Sequence, residues 1–134
     1  MPRRIQVSFI IIISMPFFFG AAHAEDQSSL AGIYSNLNQS EESGDLDGME
    51  LLLIPEDGGS KYTVVVQISE GELPQVMLSH IEVKNKAFDL IFKMSGTTEP
   101  EKMKCKFDDK NIVCGNSDGQ RAKMKHGKSY WQGA

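Results

Sequence analysis

Lys61-Tyr62-Thr63-Val64-Val65-Val66-Gln67-Ile68-Ser69 alternates apolar and polar side chains. Tyr62, Val64, Val66 and Ile68 share one face, and Thr63, Gln67 and Ser69 the other, with Val65 the exception. Successive side chains of a strand point to opposite faces of a sheet, so this pattern reads as a strand with one buried side. Similar short apolar runs recur on both sides of it, separated by turn residues. They place strands over 31–36, 49–55, 61–69, 75–83, 87–93, 102–107, 111–115 and 120–126. Glu56-Asp57-Gly58-Gly59, Glu70-Gly71-Glu72, Lys84-Asn85-Lys86 and the span 94–101, with Gly96 and Pro100, supply the connections. Glycine suits the positive φ that tight turns need. No window of helical periodicity is long enough to matter. The expected fold is all-β, an antiparallel up-and-down meander of about eight strands closing into a small barrel, because closure removes exposed edges. A two-sheet sandwich is the alternative closure.

The two cysteines test that register. In a two-residue hairpin turning at Asp109-Lys110, Asp108 faces Asn111, Phe107 faces Ile112, and Cys105 faces Cys114. Directly opposed residues have Cβ atoms ~4.5–5.5 Å apart, close to what a disulfide needs. A Cys105–Cys114 staple is expected, and the absence of C-x-x-C spacing argues against a redox pair. Met103, Cys105, Phe107, Ile112 and Cys114 then form one apolar face, while Lys102, Lys104 and Lys106 fall on the other. A three-residue turn Ser117-Asp118-Gly119 keeps Ala122 and Met124 on the apolar face. It aligns Lys106, Val113 and Lys123, and Lys104, Gly115 and Arg121, as a basic outer stripe.

Residues 1–24 have the organisation of a secretory signal. Arg3 and Arg4 precede an uncharged, mostly apolar run from Ile5 to Gly20, and Ala22-His23-Ala24 offers a small-x-small cleavage site. The run is shorter than the ~20 residues of a membrane span. A single domain over 25–134 is therefore expected, periplasmic or secreted, with no transmembrane segment after cleavage. In that oxidising compartment a disulfide persists. Without the leader's two arginines the net charge of −4 becomes −6. Residues 25–57 hold nine acids and no Lys or Arg, whereas 58–134 hold nine acids and twelve Lys or Arg. No block of like charge is long or pure enough to suggest a nucleic-acid partner.

Residues 37–48 form the longest gap, polar and acidic, and are expected to be a loop. Asp45, Asp47 and Gly48 match part of a calcium-loop pattern, but Ile54 stands where its bidentate Glu belongs, so no metal is expected. His80 and His126 lie in no metal or catalytic spacing, and no G-x-S-x-G, phosphate loop or dinucleotide fingerprint occurs. Neither an enzymatic activity nor a cofactor is expected.

Gly32-Ile33-Tyr34-Ser35-Asn36 resembles the G-x-W opening of lipocalin-like barrels, with Tyr at the Trp position, and the 37–48 gap resembles their lid loop. The chain departs from lipocalins in length and in having no C-terminal helix. The same opening, with Ser43-Gly44-Asp45, Gly48-Met49-Glu50 and the terminal Lys128-Ser129-Tyr130-Trp131-Gln132, is similar to small exported bacterial proteins of uncharacterised function. The lipocalin likeness implies a small apolar ligand at the barrel mouth, met by Tyr34, Met49, Leu51 and Phe88. The alternative is an interaction or inhibitor module with an envelope protein partner, acting through the acidic 37–48 loop or the basic face. The large inward candidates Leu51, Leu53, Tyr62, Val64, Val66, Ile68, Phe88, Leu90, Phe92, Met103 and Phe107 make a filled interior as plausible as a pocket. The sequence leaves the oligomeric state open.

Overall fold

The computed structural model describes residues 30–132 except Glu72. The expected signal segment 1–24 and its cleavage site lie outside the described residues. Nine strands form one antiparallel sheet: β1 (Gly32–Ser35), β2 (Asn38–Gln39), β3 (Leu46–Pro55), β4 (Lys61–Glu70), β5 (Gln75–Glu82), β6 (Ala87–Phe92), β7 (Glu101–Asp108), β8 (Asn111–Gly115) and β9 (Arg121–Gly127). Their order around the sheet is β5-β4-β3-β1-β9-β8-β7-β6, with the short β2 beside β3. Neighbours in sequence are thus neighbours in space, and β1 joins β9 through Ile33–Gly127, Tyr34–His126 and Ser35–Lys125. The result is the expected up-and-down meander, eight main strands curled into a nearly closed barrel. Among the described residues no helix is long and apolar enough to cross a membrane.

The barrel's seam lies between β5 and β6. These strands adjoin without a ladder among the described residues, and three contacts bridge them. Lys84 pairs with Ala87 at one end. Ser79 Oγ donates to the Ile91 carbonyl at 2.8 Å midway, and the Ser95 N–H donates to Gln75 Oε1 at 2.7 Å at the other end. Lys84–Ala87 closes a two-residue turn in which Asn85 and Lys86 both have positive φ, 52° and 59°. Such turns match the twist of the flanking strands.

Alternation decides what is buried. Leu51, Leu53, Tyr62, Val64, Val66, Leu90, Ile112, Cys114 and Met124 are almost fully enclosed. All the expected inward residues are buried except Phe107, which is half-buried against the same core. Cys105 faces Cys114 across β7–β8 in the expected register, Cα atoms 4.0 Å apart, and the two form a disulfide. Gly115–Arg121 and Val113–Lys123 also pair as expected, and Gly119 holds the αL position of its turn at φ 81°.

The segment 37–48 is corrected from a loop to a hairpin. Asn38 and Gln39 pair with Asp47 and Leu46, so only 40–45 turn. The cause is register: β2 continues the pairing of β1 with β3. At the interruption, Asn36 Oδ1 accepts the Met49 N–H at 2.7 Å, and the Asn36 N–H donates to the Met49 carbonyl. Gly48, at φ 117°, lies so close that a Cβ there would meet the Asn36 carbonyl oxygen at 2.7 Å. No apolar alternation marks β2, which hid it.

The chain after β9 runs across the outside of the sheet. Glu50, on the outer face of β3, is only 5% exposed. Ser129 Oγ donates to its Oε1 at 2.6 Å and the Tyr130 N–H to its Oε2 at 2.9 Å. Trp131 Nε1–H donates to Gln67 Oε1 at 2.7 Å on β4, and the Tyr130 hydroxyl bonds Gln39 Oε1 at 3.3 Å on β2. Residues Tyr130–Gln132 form a 3-10 turn.

Candidate functional site

The two barrel ends differ in how their inward side chains are packed. At the end where the chain enters, aromatic rings fill the interior. Tyr34 and Phe107 meet edge-on with centroids 5.9 Å apart, Phe88 and Phe107 lie at 5.6 Å, and His126 packs on Tyr34 at 4.9 Å. The Tyr34 hydroxyl donates to the Leu30 carbonyl at 3.0 Å. Burial pushes the Tyr34 phenol above its ordinary pKa, and nearby Tyr62 adds to the rise. This end is plugged.

The opposite mouth carries the β2–β3, β4–β5, β6–β7 and β8–β9 connections. Here Phe92 on β6 is buried, but on β3, β4, β7 and β9 the inward positions are Met49, Ile68, Met103 and Ala122, and a cleft of about 510 Å³ opens beside them. Met49, Ile68 and Met103 are its buried apolar wall, with Ala122 beside them. Ala122 occupies a position where a larger side chain would fill the space. Around them stand Asn36, Asp47, Glu70, Gln120 and Arg121. Asp47 pairs with Glu70 across β3–β4, so two carboxylates oppose each other at the rim. Like charges directly opposed destabilise a ladder, and Gly48 and Ile68 lie one and two residues further in.

Of the expected ligand residues, Met49 lines this cleft. Leu51 pairs with Tyr34 one layer deeper, and Tyr34, Leu51 and Phe88 belong to the packed core. All four share one cluster, but only Met49 reaches the mouth. A change at Leu51, which is fully buried, therefore tests folding rather than binding. Ile68, Met103 and Ala122 were on the expected apolar face, but their place at the mouth depends on which end the aromatics plug.

Outside the barrel, Glu56 Oε1 accepts from Thr63 Oγ1 at 2.8 Å and contacts His80 Nδ1 at 2.9 Å. The bonds from His80 and Thr63 hold this carboxyl below its ordinary pKa. The grouping pins the β3–β4 turn to the sheet. Among the described residues no three His, Cys, Asp or Glu side chains converge to hold a metal ion.

Fold and site together define a small, nearly closed antiparallel β-barrel with a cleft at one mouth. No protein-family model, curated protein or solved structure matches the chain. Of the expected lipocalin likeness, the barrel architecture is what the structure shows.

Proposed function

We propose that this is an exported, non-enzymatic binding protein that takes a small apolar molecule in the mouth cleft. The observation that carries the reading is the contrast between the ends, one plugged by rings and the other opening a cleft of about 510 Å³ over Met49, Ile68, Met103 and Ala122. That volume falls within the ~300–1,000 Å³ of small-molecule sites, whose walls are mostly apolar with a few polar groups at fixed positions. The rim sets two carboxylates, Asp47 and Glu70, against one guanidinium, Arg121. A cationic or neutral head therefore suits it better than a fatty acid carboxylate. The Cys105–Cys114 disulfide and the leader-like residues 1–24 support export.

The test uses the environment-sensitive fluorophore N-phenyl-1-naphthylamine. The expected result is enhanced emission with wild-type protein, competed better by dodecyltrimethylammonium than by laurate, both below micelle formation. Ala122→Phe fills the cleft and abolishes the enhancement while the far-UV spectrum is kept. Absence of binding to wild-type protein, or undiminished binding to Ala122→Phe, overturns the reading.

A further inference from the structure

The chain is acidic overall, with a net charge of −4, yet one face of the barrel is strongly basic. Lys102, Lys104 and Lys106 alternate along β7, and Arg121, Lys123 and Lys125 along β9, all exposed. Between these rows runs β8, which presents Asn111, Val113 and Gly115 on the same side. The register sets Lys104 and Arg121 either side of Gly115, and Lys106 and Lys123 either side of Val113. Strands are ~4.8 Å apart and alternate residues ~6.8 Å apart, so the rows stand roughly 10 Å apart with a cation every ~7 Å. From Gly115 to Val113 the shape is a trough with cationic walls and a neutral floor; beyond Val113 it ends where Asp108 of β7 reaches across β8 to Lys123 at 3.7 Å.

Two features separate it from an ordinary solvated face. The first is missing counter-ions. Asp89 on β6 pairs with Lys102 at 2.9 Å, and Asp108 lies 3.7 Å from Lys123. Lys104, Lys106, Arg121 and Lys125 have no ion pair among the described residues, although Asp89 stands opposite Lys104 in the ladder. The second is Gly115. Its φ is not positive, and an added Cβ would meet only Gln120 O at 3.6 Å and Arg121 Cγ at 3.8 Å, ordinary contacts. Gly115 is the last residue of β8, beside the β8–β9 turn, and strand glycines mark bulges, barrel corners or places where a ligand or backbone approaches closely.

The missing side chains also narrow the partner. The outer positions of β7, β8 and β9 carry no aromatic and no exposed large aliphatic residue. Protein interfaces depend on such anchors, and single-stranded nucleic acid on aromatic stacking. We propose that this trough binds an extended anionic polysaccharide lying along β8, with its carboxylate or sulfate groups alternating between the lysines of β7 and the cations of β9.

The probe is a heparin oligosaccharide titrated into the full-length barrel protein, with neutral dextran as control. Binding to heparin but not dextran is expected, weakening steeply with salt because each charge contact releases counter-ions. Lys104→Glu with Lys106→Glu should weaken it about tenfold or more, as expected for reversing two salt-dependent contacts. Gly115→Leu should do the same by raising the floor without changing its charge. Lys61→Glu with Lys93→Glu, an equal change in net charge elsewhere, should have little effect, and so should Ala122→Phe in the mouth cleft. The proposal is overturned if wild-type protein ignores heparin, or if the Lys61 and Lys93 changes weaken binding equally. It is likewise overturned if an oligothymidine of similar length binds as tightly. A trough that seats the acidic 41–47 turn of a second copy would instead show wild-type self-association that Lys104→Glu with Lys106→Glu abolishes, which also overturns it.

Discussion

Ser129→Ala removes one hydroxyl, and the structure predicts that this frees the whole C-terminal segment. The segment is tied down by two bonds to the Glu50 carboxylate and by single bonds to Gln67 and Gln39. Charge-assisted bonds are worth ~1.5–3 kcal/mol each and neutral ones ~0.5–1.5, so the ties together contribute roughly 4–9 kcal/mol. Ordering residues 128–132 costs ~1–2 kcal/mol per residue, about 5–10 kcal/mol in all. Docking is therefore balanced within a few kcal/mol, and losing the Ser129 bond, about 2 kcal/mol, tips it. Trp131 is the chain's single tryptophan and sits in the segment itself, so its emission reports docking while far-UV circular dichroism reports the barrel. The expected result for Ser129→Ala is a red-shifted, more quenchable Trp131 emission in native buffer, with the barrel spectrum kept. In wild-type protein the emission change should precede the dichroism change in urea. Unchanged emission in the variant, together with coincident transitions in the wild type, would refute the reasoning.

Replacing both Cys105 and Cys114 by Ser should lower stability by about 2–3 kcal/mol, the figure for so short a closed loop, read as a drop in the urea midpoint without reducing agent. Lys86→Gly should raise stability by about 1 kcal/mol, because a lysine held at φ 59° carries a strain that glycine does not; an unchanged or lower melting temperature would contradict this. The Tyr34 phenol has a raised pKa in the folded chain, so its contribution is complete below the unfolded value of 10.0 and is lost as pH climbs through the folded one. Alkaline titration should therefore destabilise the protein from about pH 10, and Tyr34→Phe should flatten that part of the profile. Glu56 behaves in the opposite sense: its carboxyl is held below the ordinary range, so its support is present above the unfolded value of 4.5 and fades as pH falls through the folded one. His80→Ala should reduce that acid dependence.

Much of the barrel was legible because one rule governs it. Period-two alternation in 61–69 named the buried side chains of β4, and symmetry about Asp109-Lys110 placed Cys105 against Cys114. Both depend on local register, which the sequence displays. Four things were not legible that way. β2 is polar on both faces, so its pairing with β3 has no hydropathy signal. Val65, the break in the alternation, stays on the outer face between Leu52 and Leu78, where the ladder places it. The cleft reflects how the ends pack: Tyr34, Phe88 and Phe107 meet at one, while at the other Met49, Met103 and Ala122 line an opening and Phe92 is packed away from it. A sequence reading ranks residues by apolarity, and by that measure Tyr34 and Phe88 looked as fit for a ligand as Met49. The tail's grip on Glu50 joins residues far apart along the chain, and neither Glu50 nor Ser129 carries a mark of it.

The pairing of β1 with β9 also sets a timetable. β1 is made first and sits between β3 and β9, and its Ile33 must wait for Gly127, at the far end of the described chain. Until then the growing chain is an open meander with two unsatisfied margins. Contacts so distant in sequence are slow to form, since the loop they close must first lose its freedom. The barrel cannot lock around a partial chain. A polypeptide made this way stays open at β1 until its last strand arrives, and the β5–β6 seam remains the side without a ladder.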